Sequence, residues 1–185
     1  MGASDLNMKA WALSNFLELG RRLINSYDAG IVIVGGIEEE DRWKIIMEAL
    51  GCNIASFLGY PVDETAAIIE QCDLFVGNDS GPTHLAASVG TPVVGLYGPT
   101  NYCRTRQYGP ETRIVRNEFP CSPCWCPLDW ERFERLAVKR KGCMPAKCLQ
   151  TLKVDQVFFA CSDVLNGEIA DCGRTERGKG HAGMG

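Results

Sequence analysis

The chain has 185 residues, 45% of them hydrophobic, and a formal charge of −4 at pH 7. That is enough apolar material for one domain with a full core, and it offers no basic stripe for nucleic acid. No apolar run reaches the roughly 18 residues of a transmembrane segment, and no opening stretch reads as a signal peptide, so the expected location is cytoplasmic.

Met1 to Asn7 carries no clear pattern. Lys9 to Tyr27 carries a helical period, with Leu13, Phe16, Leu17, Gly20, Leu23, Ile24 and Tyr27 on one face and Glu18, Arg21 and Arg22 on the other. Ile31-Val32-Ile33-Val34 is a continuous β-branched run, the pattern of a fully buried parallel strand. Gly35-Gly36 turns out of it, and Glu38-Glu39-Glu40-Asp41 leads into a helix that reaches Leu50. A further strand is predicted over Asn53 to Leu58, then a turn at Gly59-Tyr60-Pro61. A helix follows over Asp63 to Cys72, with Asp63 as its cap. The alternation of strands and helices predicts an α/β fold, Rossmann-like, with a parallel sheet flanked by helices.

The most informative stretch is Asp73 to Thr100, DLFVGNDSGPTHLAASVGTPVVGLYGPT. Asp73 to Val76 reads as a strand broken by Gly77-Asn78-Asp79-Ser80-Gly81, and Pro82 suits the first helical position. Thr83 to Val89 makes two turns that Gly90 can end in a left-handed conformation, and Thr91 to Tyr97 is a second buried strand. The N–H groups of Ser80, Gly81, Thr83 and His84 are then the unpaired donors of a helix start, suited to a phosphate or diphosphate. Asp79 can accept hydrogen bonds from sugar hydroxyls, and His84 sits beside the same anion. The competing reading is that Asp79 or Ser80 simply caps the helix and that His84 is a packed polar residue.

Asp79-Ser80-Gly81, His84-Leu85-Ala86, Gly90-Thr91-Pro92 and Gly98-Pro99-Thr100 follow one another as in the carboxyl-terminal signature of the family-nine glycosyltransferases, which include the lipopolysaccharide heptosyltransferases. The match runs in order and without a gap. Lys9-Ala10-Trp11 resembles that family's Lys-x-Trp-Pro, with Ala12 in place of proline. The resemblance implies that Lys9 meets the donor phosphate; read without it, Lys9 is a solvated lysine. It also implies a carboxylate near Glu38–Glu40 on the donor nucleotide or sugar, for which Glu39 is the choice. The competing explanation is that acidic residues simply suit a first helical turn. Asn101-Tyr102-Cys103-Arg104 departs from the family's Asp-Pro and arginine.

Beyond Thr100, Thr112 to Arg116 reads as an edge strand, and residues 119–148 as a cysteine-rich insertion holding a helix from Leu128 to Arg140. Ten cysteines accompany an α/β pattern rather than a small secreted scaffold. Cys121, Cys124, Cys126, Cys143 and Cys148 loosely follow a zinc-ligand spacing, so a structural Zn site or disulfide staple stands against buried thiols. Leu149 to Leu165 is a predicted closing helix, with Val154, Val157, Phe158, Cys161 and Leu165 at helical spacing. The domain is expected over 1–166. The glycine-rich segment 167–185 is expected to lack structure.

The resembling enzymes have two Rossmann-like domains of the GT-B arrangement, and the similarity here spans Lys9 to Leu165, the donor-binding half. It implies Lys9, Glu39, Asp79, Ser80, Gly81, His84 and Thr100 as donor-site residues, with the general base of inverting transfer in the amino-terminal domain. The implied donor is a nucleotide-diphosphate sugar, ADP-heptose first. The acceptor is a lipopolysaccharide core reached through the other domain, at the inner-membrane periphery. No cofactor is required, since no Asp-x-Asp motif is present to hold a divalent cation. Two rivals are a non-catalytic nucleotide-sugar-binding module and a structural zinc module.

Overall fold

The computed structural model describes residues 9–51, 54–109, 111–124 and 146–168. In chain order the elements are α1 (Leu13–Tyr27), β1 (Ile31–Gly35), a 3-10 turn (Ile37–Glu39), α2 (Glu40–Leu50), β2 (Ile54–Leu58), α3 (Val62–Glu70) and β3 (Phe75–Asn78). Then follow α4 (Gly81–Ser88), β4 (Val93–Tyr97), α5 (Tyr102–Thr105), β5 (Thr112–Arg116), α6 (Lys147–Gln150) and α7 (Val154–Leu165). The strands are parallel, as the alternation predicts. Among the described residues they form two sheets, β1-β2 and β3-β4-β5.

β4 is the centre of the larger sheet and is buried along its whole length. Val94 and Leu96 pack into one core with Trp11, Leu19 and Leu23 from the α1 side and Val157, Cys161 and Val164 of α7. Val93 enters a second core with Ile69 of α3 and Ala86 of α4. Helices on both faces of a parallel strand explain why its sequence is continuously apolar rather than alternating.

Several boundaries differ from the sequence expectation. α1 starts at Leu13, so Lys9 to Ala12 precede the helix; Trp11 is pinned elsewhere by two hydrogen bonds described below. On that helix Gly20 and Leu23 of the predicted face are buried together with Leu19, while Tyr27 at its end is exposed. β1 is not fully buried. Val32 is 40% exposed; among the described residues β1 pairs with one strand, and its other edge faces a cavity. Asp63 lies in the first turn of α3, whose cap position is Pro61.

β3 begins later and runs through Gly77 to Asn78, because pairing with β4 continues to Leu96 and overrides the glycine. Pro82 is the second residue of α4 rather than the first, while Gly90 takes the left-handed conformation (φ 86°) as expected. β5 is an edge strand, as predicted. The closing helix is broken at Thr151–Lys153 into α6 and α7, with Leu152 turned inward to 1% exposure. The expected helix from Leu128 to Arg140 lies outside the described residues. So does the tail beyond Glu168.

Candidate functional site

The site is built where β3 hands over to α4. The Asp79 N–H donates to the Leu96 carbonyl at 3.2 Å, carrying the β3–β4 ladder one bond past the strand. Ser80 is then extended (φ −151°, ψ 170°) and α4 starts at Gly81. Thr83, fully buried, donates its hydroxyl to the Asn78 carbonyl at 2.5 Å and ties the first helical turn to the strand end. Gly77 leaves room for that turn, since a Cβ there would stand 2.7 Å from Thr83 Oγ1.

This geometry separates the two readings of Asp79 and Ser80. Ser80 occupies the N-cap position without a side-chain capping bond, its Oγ lying 3.3 Å from Thr83 Oγ1. The Asp79 carboxylate is turned away from the helix amides, toward three side chains. Lys9 Nζ lies 3.8 Å from Oδ2, His84 Nε2 lies 3.7 Å from Oδ1, and Thr105 Oγ1 donates to Oδ2 at 3.3 Å. Asp79 is 8% exposed, whereas the Lys9 and His84 side chains are 30% and 48% exposed. The His84 N–H is no spare donor: it reaches back to the Ser80 carbonyl at 3.4 Å. The presented amides of the helix start are therefore those of Ser80, Gly81 and Thr83, with Pro82 contributing none.

Lys9 is held at the site by its neighbours. The Trp11 N–H donates to Asn78 Oδ1 at 2.9 Å, and its indole N–H donates to the Leu152 carbonyl at 2.8 Å. With the ring buried against Phe16 (centroids 5.0 Å apart), the segment before α1 crosses the end of β3.

Glu39 approaches from the other sheet. Of Glu38, Glu39 and Glu40 it alone is half-buried, and its carboxylate folds over Gly35 at the end of β1. It lines a cavity of about 520 Å³ between β1 and β3, together with Asn78, Ser80 and Pro82 at one end. Lys9, Asp79 and His84 cluster beside that end without lining the cavity. Thr100 is buried in the turn after β4, and its hydroxyl has no partner among the described residues. The structure thus brings Lys9, Asp79 and His84 together, sets Glu39 and Ser80 on a shared cavity, and leaves Thr100 behind in the interior.

The cysteines divide differently. Cys121 is exposed, while Cys124 and Cys148 are buried. The Cys124 N–H donates to the Pro99 carbonyl at 2.7 Å, and Cys148 sits against Gly98, so both attach to the turn that follows β4. Cys126 and Cys143 lie outside the described residues. Among the described residues no three potential ligands converge. Thr105 and Asn78 were not singled out by sequence reasoning. Both act through side-chain bonds to partners far away in the chain, and no local pattern announces those.

Chemically, amides at the start of an eight-residue helix suit an oxyanion, a lysine and an imidazole lie beside it, and a buried carboxylate supplies acceptors for hydroxyl groups. The fold and this corner define an α/β protein of parallel sheets whose strand ends carry a polar cluster where ligands of such folds sit. The chain belongs to glycosyltransferase family 9, the heptosyltransferase family, whose model matches residues 1–131. It is 28% identical over 172 residues to lipooligosaccharide heptosyltransferase 2 of Campylobacter jejuni, a match covering 89% of this chain and 49% of that protein. It is 30% identical over 124 residues to lipopolysaccharide heptosyltransferase 2 of Escherichia coli, covering 62% of this chain and 34% of the relative. The chain spans about half the length, or less, of these curated relatives.

Solved structures give the same fold. The E. coli ADP-heptose lipopolysaccharide heptosyltransferase II superposes with a TM-score of 0.70 at 23% identity, over 90% of this chain and 45% of that one. A family-9 glycosyltransferase from Veillonella parvula gives 0.72 at 21% identity, over 88% and 44%. E. coli heptosyltransferase WaaC, solved with ADP, gives 0.65 at 19% identity, over 86% and 41%. Among the described residues no helix is long and apolar enough to cross a membrane.

Proposed function

We propose that this chain is the donor-binding half of an inverting glycosyltransferase that uses a nucleotide-diphosphate sugar, ADP-heptose first, with a lipopolysaccharide core as acceptor. The observation that carries the reading is the Asp79 carboxylate held between Lys9 and His84 at the start of α4. In this reading the diphosphate lies against the Ser80 and Gly81 amides, where fixed donors stabilise negative charge as it develops on the leaving group. Lys9 adds a point charge, Asp79 orients sugar hydroxyls, and Glu39 meets the nucleotide or sugar from the β1 side. A general base on the acceptor side comes from a second domain, and the complete enzyme works in the cytoplasm at the inner-membrane surface.

Supporting this are the family match and the relatives, which are named as heptosyltransferases; one solved WaaC structure holds ADP and another ADP-2-deoxy-2-fluoro heptose. Isothermal titration of the chain with ADP, GDP, UDP and ADP-heptose tests it. Binding of the adenine ligands, weakened in Lys9→Ala and in Ser80→Pro, is the expected result. Indifference to base and to both substitutions sinks the reading.

A further inference from the structure

Asp79 has a polar neighbour besides Lys9 and His84. Thr105 ends α5, a four-residue helix whose first turn is capped by the Asn101 side chain, which accepts from the Cys103 N–H at 3.2 Å. The Thr105 hydroxyl lies 3.3 Å from Asp79 Oδ2 and 3.2 Å from the Asn101 carbonyl. It has one proton, and a carboxylate is the stronger acceptor, so the proton goes to Asp79.

Thr105 is itself held from behind. Tyr97, fully buried at the end of β4, has its hydroxyl 3.0 Å from the Thr105 carbonyl and 2.9 Å from Gln107 Oε1. A phenol cannot donate to both. Gln107 is 3% exposed, and its Nε2 has no partner among the described residues. Turning the Gln107 amide by half a revolution resolves both conflicts: Nε2 donates to the phenol oxygen, and the phenol donates to Thr105. Burial, helped by the nearby Asp79 charge, pushes the Tyr97 phenol well above its ordinary range, so it remains a neutral donor. The bonds then run in one direction, from Gln107 through Tyr97 to Thr105, and from the Thr105 hydroxyl to Asp79.

Lys9 and His84 are partly solvated and more than 3.5 Å from Asp79, so neither fixes the rotation of the carboxylate. We infer that Thr105, braced by Tyr97 and Gln107, is a positioning residue that sets the orientation of Asp79 toward the sugar of the donor. This rests on the reading of Asp79 as the sugar-orienting carboxylate. It adds a residue on α5, outside the strand–helix signature, that decides discrimination between a nucleotide and its sugar conjugate.

The test is a double-mutant cycle on the full chain with Thr105→Val, Thr105→Ser, Asp79→Asn and the Thr105→Val/Asp79→Asn pair, titrated with ADP and with ADP-heptose. Thr105→Val should weaken ADP-heptose about tenfold and ADP by no more than about twofold, while Thr105→Ser, which keeps the hydroxyl, stays near wild type. In the Asp79→Asn background the valine should cost less than about twofold, because the bond it removes is already spoiled. Losses that add in the pair, or a serine variant as impaired as the valine, overturn the role. If the wild-type chain does not bind ADP-heptose, the proposed function falls, and the same cycle read by urea unfolding judges the pair alone. Non-additive stability losses then sustain the Thr105–Asp79 bond alone, and additive losses end it.

Discussion

In the proposed reading the Asp79 charge matters to binding chiefly when a ligand brings hydroxyl groups to it. Asp79→Asn keeps the shape and removes the charge. Hydrogen bonds to a charged partner contribute roughly 1.5–3 kcal/mol, so ADP-heptose affinity should fall about tenfold or more while ADP affinity falls far less. Paired titrations of the two ligands decide it, and equal losses would make Asp79 a structural residue. The sequence made Asp79, Ser80, Gly81 and His84 legible because they fall within six residues and a helix start dictates their chemistry. Lys9, seventy residues away along the chain, became visible only through family resemblance. Thr105 and Tyr97 stayed hidden. A tyrosine closing an apolar run reads as core, and it is core; only the path of the turn through Thr100 and α5 decides what its hydroxyl meets.

At the scale of elements, two glycines make opposite demands. A Cβ on Gly77 would stand 2.7 Å from Thr83 Oγ1 and 2.8 Å from the Phe75 ring, and Thr83 is anchored to Asn78 and cannot yield. Gly77→Ala should therefore destabilise by about 1–3 kcal/mol and, by shifting the start of α4, weaken ADP as well. A Cβ on Gly90 meets nothing within 4 Å, but the residue has φ 86°. Gly90→Ala should cost about 1–2 kcal/mol through backbone strain and leave ADP binding alone. Urea unfolding with ADP titration separates the cases, and equal ligand effects would refute the distinction. α7 supplies a pH dependence. Burial pushes the Cys161 thiol from 9.0 up to about 12, so between those values the unfolded chain loses a proton that the folded chain keeps. Stability is full below pH 9 and falls as pH rises toward 12, by up to about 1.4 kcal/mol per unit from this group. Cys161→Val should flatten that decline between about pH 8 and pH 10.5, and an unchanged slope would clear Cys161. Periodicity predicted where these elements lie, yet it misplaced their ends. β3 runs through Gly77 because β4 pairs with it, and α1 starts late because Trp11 is bonded to Asn78 and Leu152.

For the whole molecule, the chain spans about half the length of its relatives, and in the proposed reading every group gathered at its candidate site serves the donor. Inverting transfer needs a base within hydrogen-bond reach of the acceptor hydroxyl, on the side opposite the leaving diphosphate. His84 stands beside the helix start, where the proposed reading lets it assist departure of the diphosphate but not deprotonate an acceptor across from it. Asp79 accepts from Thr105 beside Lys9, and Glu39 lies on the wall formed by β1, so the proposed reading assigns both to the donor. Holding two substrates in one geometry accounts for much of the rate in such reactions, and a donor site alone cannot supply it. The chain by itself should therefore bind ADP-heptose yet transfer no heptose to a heptose-deficient lipopolysaccharide core. Transfer should appear only when an amino-terminal acceptor domain of the family is added. Product formation followed by mass spectrometry of the core checks this, with the Asp79→Asn and Glu39→Gln variants run alongside. Turnover by the chain alone, abolished by a single carboxylate substitution within it, would place the base on this half and reverse the assignment of donor and acceptor sides.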